Sequence, residues 1–507
     1  MTHTLGIEFG STRIKAVLID EAFRPVASGD YTWKSDLRDG VWTYDLEEAW
    51  SGLRTALRAL GEVSVDAMGI SAMMHGYLAF DKDWNLLTPF RTWQNTMTGE
   101  EAAELTELFG FNIPQRWSIA HLWHAIRTGE AHVGRLAHIT TLAGYFHYML
   151  TGVNAVGIGE ASGMFPIDSE TLDYDRGMME KFDRLIAEQP FTLRDLLPQV
   201  LPAGVPAGKL TAAGAARLDG MLSEGIVFAP AEGDAGTGMT ATNAVGPRTG
   251  NVAAGTSIFS MVVLEHPLQK LHREIDMVAT PTGAPCAMSH ANNGTTDLNA
   301  WVHLFGEFAA LMGHPASMDT LFTKLYTNAM QGDPDCGGLL PYGYYSGENI
   351  TMINEGRPIF LRTTKSRFTL ANLMRAHLYT SLGAVKIGLD ILRDEGVEMD
   401  RIMGHGGFFK TKGVGQRCLS AACGAPVTVM NTASEGGAWG IALLAAYRID
   451  RQPGETLDMY LDQRIFAHLG GVTLSATEAE TQGFEVFMRH YRAGLSVEKA
   501  AIDALDW

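Results

Sequence analysis

Two short turns built from glycine and hydroxyl side chains, one in each half of the 507-residue chain, constrain its architecture more than any other feature. The first is Gly10-Ser11-Thr12, which follows Leu5-Gly6-Ile7-Glu8-Phe9 and precedes an apolar run over residues 14–20. The second is Gly255-Thr256-Ser257, which follows Val252-Ala253-Ala254 and precedes an apolar run over residues 258–264. Each reads as strand, tight turn, strand. Glycine lets the backbone come close to a ligand, and neighbouring hydroxyl and N–H groups can converge on one anion. Either turn alone equally describes an ordinary hairpin. The pair predicts a duplicated architecture that grips a polyphosphate from both sides. A strand-to-helix P-loop is not present, because Gly204 to Lys209 has the wrong spacing and no following Ser or Thr.

The length fits about two to four domains. Hydrophobic residues at 46% supply sizeable cores, and charged residues at 19% argue against disorder. The formal charge of −18 and pI near 5.3 repel nucleic acid and anionic membranes, so neither is an expected partner. No apolar stretch is long enough to span a bilayer, and the first residues lack a signal-peptide pattern. Cys286, Cys336, Cys418 and Cys423 show no CxxC spacing and read as buried thiols of a cytoplasmic protein.

In the first half, residues 67–71 and 77–81 read as strands flanking Met73-Met74-His75-Gly76, and residues 100–109 as a helix. A turn-rich connection holds Pro198, Pro202, Gly204, Pro206 and Gly208. It leads to a helix over 211–218 and a strand over 226–229, which empties into Glu232-Gly233-Asp234-Ala235. In the second half, residues 369–395 keep an apolar spacing of three to four, with Thr369 as N-cap and Gly396 as stop. Strands over 401–404 and 427–430 precede His405-Gly406-Gly407 and Ser434-Glu435-Gly436-Gly437, and a helix covers 438–447. The expected division is 1–245, 246–450 and a helical extension over 451–507 packed on the second domain.

Taken in order over residues 5–447, these segments resemble the FGGY family of carbohydrate kinases, in the actin and heat-shock ATPase superfamily. Residues 5–15 are similar to its first phosphate hairpin, and Met74-His75-Gly76 to the sugar-pocket segment of its xylulose kinases. Trp93 stands in its Trp-x-Asp sugar-binding stretch. Gly233-Asp234-Ala235 resembles its Gly-Asp catalytic loop, and Gly255-Thr256-Ser257 its second phosphate loop. Leu339-Leu340-Pro341-Tyr342 with Ser346-Gly347-Glu348 resembles its Leu-Pro-Tyr…Ser-Gly-Glu segment. Gly406-Gly407 with Lys410 and Gln416 resembles its adenosine loop, and Glu435-Gly436-Gly437-Ala438 its Glu-x-Gly-Ala helix start.

The resemblance implies two ribonuclease-H-like (actin-like ATPase) α/β domains with a cleft between them. It implies ATP-dependent phosphorylation of a small ketose, with a pentulose such as xylulose or ribulose as the first expectation. A hexulose or polyol kinase is the alternative within the family, and a catalytically weak sugar-responsive regulator the alternative outside catalysis. The partners so implied are a sugar and ATP, with a homodimer left open. Asp234 is then the base, although the residues alone favour a helix-cap or turn aspartate. Met74, His75, Gly76, Trp93, Asn95 and Asp234 line the sugar. Gly10, Ser11, Thr12, Gly255, Thr256, Ser257, Gly406, Gly407 and Lys410 hold the nucleotide, and Glu8 and Asp234 face Mg²⁺. Arg13 and Lys15 are further sources of positive charge. Two positions depart from the family pattern. Glu8 replaces its usual Asp and adds a methylene, and Asn95 with Met97 replaces its usual Asp and Arg.

Overall fold

The computed structural model describes residues 2–430 and 436–505. Ser434 and Glu435, singled out above, lie outside the described residues.

The first half is organised by one mixed sheet. Strands β1 (Thr4–Phe9), β2 (Arg13–Ile19) and β3 (Pro25–Thr32) form an antiparallel meander, and β4 (Ala67–Ala72) adds in parallel to β1. The short strands β5 (Val227–Phe228) and β6 (Glu232–Gly233) both pair in parallel with β4. The second half repeats the pattern. Strands β7 (Thr249–Ala254) and β8 (Ile258–Val263) form a hairpin, and β9 (Asp276–Ala279) and β10 (Pro285–Ala291) extend it antiparallel beyond β8. On the other side β11 (Arg401–His405) adds in parallel to β7, and β12 (Val427–Met430) in parallel to β11. Each half thus holds one glycine–hydroxyl turn inside its central hairpin, with a parallel strand beside the first arm.

Two helices decide how the halves meet. Helix α1 (Asp234–Ala241) begins directly after β6, and helix α2 (Gly436–Asp450) follows the second sheet but lies across the first. The crossing needs small residues. A Cβ at Gly6 would fall 1.8 Å from the Ala438 carbonyl oxygen, and one at Gly440 would fall 2.0 Å from that of Thr237. One hydrophobic core therefore joins Met164, Met239, Met261 and Met288 with Trp439 and Leu443, drawing on both halves. A second core lies wholly in the second half.

Three expectations change. The helix expected over 369–395 is two helices, Leu370–Ser381 and Gly383–Asp394. The break falls where Gly383 meets Tyr491, and a Cβ there would lie 2.5 Å from the ring. Thr369 caps the first of them through Asn372 N–H, and Gly396 follows the second at φ +79°. The strand near 77–81 is Leu78–Phe80, and it pairs with His138–Thr140 outside the main sheet. The extension over 451–507 is not one helical unit on the second domain. Leu457, Tyr460 and Phe466 join the core shared by both halves. Gly471–Leu474 is a strand that covers the open edge of β12. Only the helix Glu478–Ala504 sends its apolar face, with Phe484, Phe487 and Tyr491, into the second core.

Candidate active site

The register of the first sheet assembles the site. Phe9 lies beside Ala72, Ser71 beside Glu232, and Ala72 beside Gly233. The carboxyl ends of β1, β4 and β6 therefore share one edge, where ligands of such sheets bind. Glu8, the 73–76 segment and Asp234 emerge there together.

Asp234 is the first residue of α1, and its Oδ1 accepts a hydrogen bond from Met74 N–H at 3.2 Å. The side chain is deep-set but open to the cleft, so water reaches it. Surrounding protein and the charge on Glu8 push its pKa up to about 6. Glu8 accepts from Ala438 N–H at 3.0 Å, at the start of α2. Burial raises its pKa, while that N–H and the charge of Lys15, its partner across the hairpin, oppose the rise. Gly437 is required beside it, since a Cβ would lie 2.5 Å from Glu8 Oε1. Met430 ends β12 at the carboxyl edge of the second sheet, and Gly437 lies against Glu8. The carboxyl edges of both sheets thus open on one cleft.

Both hairpin turns have their carbonyl oxygens tied from behind. In the first, Trp33 Nε1–H donates to Gly10 O at 2.7 Å, Tyr44 O–H to Ser11 O at 2.7 Å, and Trp33 N–H to Thr12 O at 3.1 Å. In the second, Thr295 donates to Gly255 O through N–H and hydroxyl, both at 3.0 Å, and Gly294 N–H to Thr256 O at 2.8 Å. Oxygens that would repel a phosphate are thereby turned away, and Ser11, Thr12 and Thr256 remain exposed. Sequence reasoning missed Trp33, Tyr44, Gly294 and Thr295, because none stands near its turn in the chain. Gly406 has φ +98°, and a Cβ there would lie 2.4 Å from Ala254 O, so this loop rests against the second hairpin. Gly407 and Lys410 are exposed beside it. Gln416 is not part of that surface. Its Nε2 donates to Val427 O at 3.1 Å and Val472 O at 2.6 Å, binding the extension strand to β12.

In the segment after β4, His75 has φ +73° and Gly76 φ +92°. A Cβ at Gly76 would lie 2.6 Å from Arg91 O, so only glycine fits. The His75 ring lies 3.3 Å through Nδ1 from Gly163 O and stacks against Trp117. Burial, Arg116 and His290 hold it well below the usual imidazole range, so it is neutral. With Nδ1–H donated to Gly163, Nε2 is an acceptor. Met74 packs its side chain under Gly233, where a Cβ would lie 2.8 Å from its Cγ. Trp93 is 39% exposed and is not a core residue. Asn95 departs from expectation. Its Oδ1 accepts from Trp42 N–H at 2.9 Å, and its Nδ2 donates to Trp42 O at 2.8 Å and Thr92 O at 3.0 Å. Both amide hydrogens are used on backbone, so Asn95 braces the 36–43 hairpin rather than presenting donors to a sugar. Arg13 is an exposed cation, 3.8 Å from Asp30.

Sequence reasoning also missed two acids behind Asp234. Glu232 accepts from Gly159 N–H at 3.3 Å and Glu160 N–H at 2.9 Å, and burial pushes it up to about 8. Glu160 is held well above the usual range by burial and by the charges of Glu232 and Asp234. Its distance along the chain gave no signal.

For a divalent cation, Glu8 and Asp234 supply hard oxygen donors of the kind Mg²⁺ takes. No group of three His, Cys, Asp or Glu converges as a cage among the described residues. The two carboxylates therefore fit a cation whose remaining ligands are water and phosphate oxygens.

Paired hairpin turns on one cleft, with a carboxylate pair between them, define a two-domain phosphotransferase of the actin-like ATPase fold. The chain belongs to the FGGY family of carbohydrate kinases, whose N-terminal domain model matches residues 3–240 and whose C-terminal domain model matches residues 250–449. It is an ATP-dependent sugar kinase. Xylulose kinase of Haemophilus influenzae is 23% identical over 432 residues, covering 80% of this chain and 83% of that protein. Two solved structures share the fold. Xylulose kinase from Rhodospirillum rubrum has TM-score 0.81 at 19% identity, over 98% of this chain and 99% of that one. Gluconate kinase from Lactobacillus acidophilus has TM-score 0.80 at 15% identity, over 99% of each. No helix among the described residues is long and apolar enough to cross a membrane.

Proposed function

We propose that this kinase phosphorylates a hydroxyl of a pentulose such as xylulose or ribulose, with Asp234 as general base. The supporting observation is the placement of Asp234: accessible from the cleft, held by the N–H of Met74 next to His75, and raised in pKa by the charge of Glu8. The curated sequence relative named above, from Haemophilus influenzae, acts on xylulose by its name, which favours a pentulose over the hexulose and polyol alternatives.

Asp234 receives the proton of the sugar hydroxyl. The freed oxygen bonds to the γ-phosphorus of ATP as the bond to the β–γ bridging oxygen breaks, and ADP leaves. Little covalent chemistry is asked of the protein, so positioning and charge stabilisation dominate. Ser11, Thr12, Thr256 and Ser257 meet phosphate oxygens, with bonds to charged groups contributing about 1.5–3 kcal/mol each. Gly406, Gly407 and Lys410 border the adenosine. His75 Nε2 accepts from a sugar hydroxyl, Gly76 lets the backbone turn there, and Trp93 packs on the C–H face. Glu8 and Asp234 are the residues that would hold Mg²⁺. The chemistry that bound Mg²⁺ supplies is charge neutralisation at the β- and γ-phosphate oxygens.

The test is ADP release from ATP across a panel of ketopentoses, ketohexoses, polyols and aldonates. Ketopentoses are expected to give the highest kcat/KM. A hexulose or polyol preferred tenfold would overturn the sugar, and no sugar-stimulated ADP release at all would favour the regulatory alternative.

A further inference from the structure

The second half is more than a nucleotide platform. One face of its sheet packs against the first half, with Met261 and Val263 of β8 and Cys286 and Met288 of β10 in the shared core. Side chains on a strand alternate, so Phe259 and His290 continue that same face. They are direct partners across β8 and β10, their rings 6.1 Å apart. Phe259 lies just after the Gly255-Thr256-Ser257 turn. His290 therefore stands at the cleft end of the packed face, beneath the second hairpin, and is half-buried rather than sealed.

What it faces follows from the contacts around it. Asp276 of β9 pairs with Arg116 and accepts from Asn112 Nδ2 at 2.9 Å. Arg116 O in turn accepts from Gly76 N–H at 3.2 Å. Ser162 Oγ accepts from Ala279 N–H of β9 at 2.9 Å, and the adjoining Gly163 touches the His75 ring. The 112–117 loop and the 162–163 turn thus bind the His75 segment to the strands beside His290. Arg116 depresses the pKa of both His75 and His290.

We propose that His290 forms the far wall of the sugar pocket, where it hydrogen-bonds a hydroxyl of an uncharged ketose and limits chain length. The inference rests on the sugar-kinase reading of the His75 pocket. No side-chain hydrogen bond is made by His290 among the described residues, so its ring nitrogens can serve a ligand. Burial and Arg116 hold it near 4, so it is neutral and offers one donor and one acceptor. The cation of this wall, Arg116, is committed to Asp276. A sugar carboxylate would find no free charge here, and an aldonate is disfavoured.

Steady-state kinetics with sugar and ATP varied separately test this. His290→Ala and His290→Phe are expected to raise the sugar KM about threefold to tenfold, the value of a lost bond to a neutral hydroxyl. The ATP KM should stay within twofold, which also reports a folded nucleotide site. His290→Gln, which keeps a donor and an acceptor, should stay within about twofold of wild type. His290→Ala should also raise the kcat/KM of a ketohexose relative to a ketopentose at least threefold, because it vacates volume, whereas His290→Phe should not. Unchanged sugar KM in both Ala and Phe variants, or equal rises in both KM values, would overturn the proposal. So would wild-type use of gluconate as effective as that of any ketose. If the wild type prefers a hexulose or polyol, the pentulose reading fails, and the His290 comparison is read on that sugar instead.

Discussion

Replacing Asp234 by Asn separates catalysis from stability, because the two should move in opposite directions. The Asn side chain keeps the shape and can still accept from Met74 N–H. It cannot take a proton, and a positioned base contributes about 10²–10⁴-fold. Sugar-dependent ADP release should fall by that factor with the ATP KM within a few-fold. Stability runs the other way. Asp234 is displaced from 3.8 to about 6 in the folded protein, so it binds its proton more tightly there than in the unfolded chain. Its contribution is greatest below 3.8 and is lost as pH rises through about 6, leaving the ionised group a burden at pH 7.5. The full displacement would correspond to about 3 kcal/mol at about 1.4 kcal/mol per pH unit. Water in the cleft screens the group, and about 1 kcal/mol is a fair discount. In metal-free buffer the Asn variant should unfold at a higher temperature than wild type at pH 7.5, with the gap shrinking toward pH 5. Turnover within tenfold of wild type would refute Asp234 as base. A lower Tm at pH 7.5 would refute the electrostatic account of its surroundings.

Glu8→Ala should raise the Mg²⁺ concentration for half-maximal rate and lower kcat, and a Mg²⁺ titration matching wild type would remove Glu8 from the metal site. His75→Ala should raise the sugar KM several-fold to about tenfold, since one bond to a neutral hydroxyl is lost, while the ATP KM holds. Equal shifts in both would move the sugar pocket elsewhere. Glu498, fully buried and accepting from Arg357 N–H at 2.7 Å, is pushed up to about 7 by burial. Its contribution is full below its ordinary 4.5 and lost as pH rises through about 7. Glu498→Gln should therefore raise the unfolding free energy at pH 8 by on the order of 1–3 kcal/mol, read as a higher Tm, with the difference vanishing near pH 4.5. Equal gains at both pH values would show that ionisation is not the cause.

What the sequence carries locally can be read from it, and what depends on distant contacts cannot. The two hairpins announce themselves because glycine, hydroxyls and flanking apolar runs are contiguous around Gly10 and Gly255. The 401–405 and 427–430 strands are short apolar runs legible for the same reason. Asn95 shows the limit. The family resemblance implies a sugar ligand at this position, yet its amide is spent on Trp42 and Thr92, and only the fold reveals those partners. Gln416 fails in the same way, through the backbone of a strand that composition reads as part of a helical tail. Pro, Gly and hydrophobic spacing say nothing of α2 crossing to the first sheet, because Gly6 and Gly440 need their clearance only once the two halves are together.

That crossing gives the Glu8 substitution a physical context. The residue meets the N-terminus of α2, a helix supplied by the second half, through Ala438 N–H. A helix start carries partial positive charge, so the contact favours the ionised carboxylate. Lys15 adds to it from the neighbouring strand. Asp234 sits at the start of α1, beside the charge of Glu8 and with Glu160 and Glu232 behind it. Its displacement toward neutrality therefore comes from burial and from Glu8 on β1 rather than from a charge on its own segment. Placed near the operating pH, such a group has both the ionised form that accepts a proton and enough basicity to hold it. The longer side chain at position 8 reaches α2 while leaving Asp234 the carboxylate that opens to the cleft. One helix from the second half thus touches one acid of the first, and the two acids are tuned together because both halves must be in place for either to have its environment.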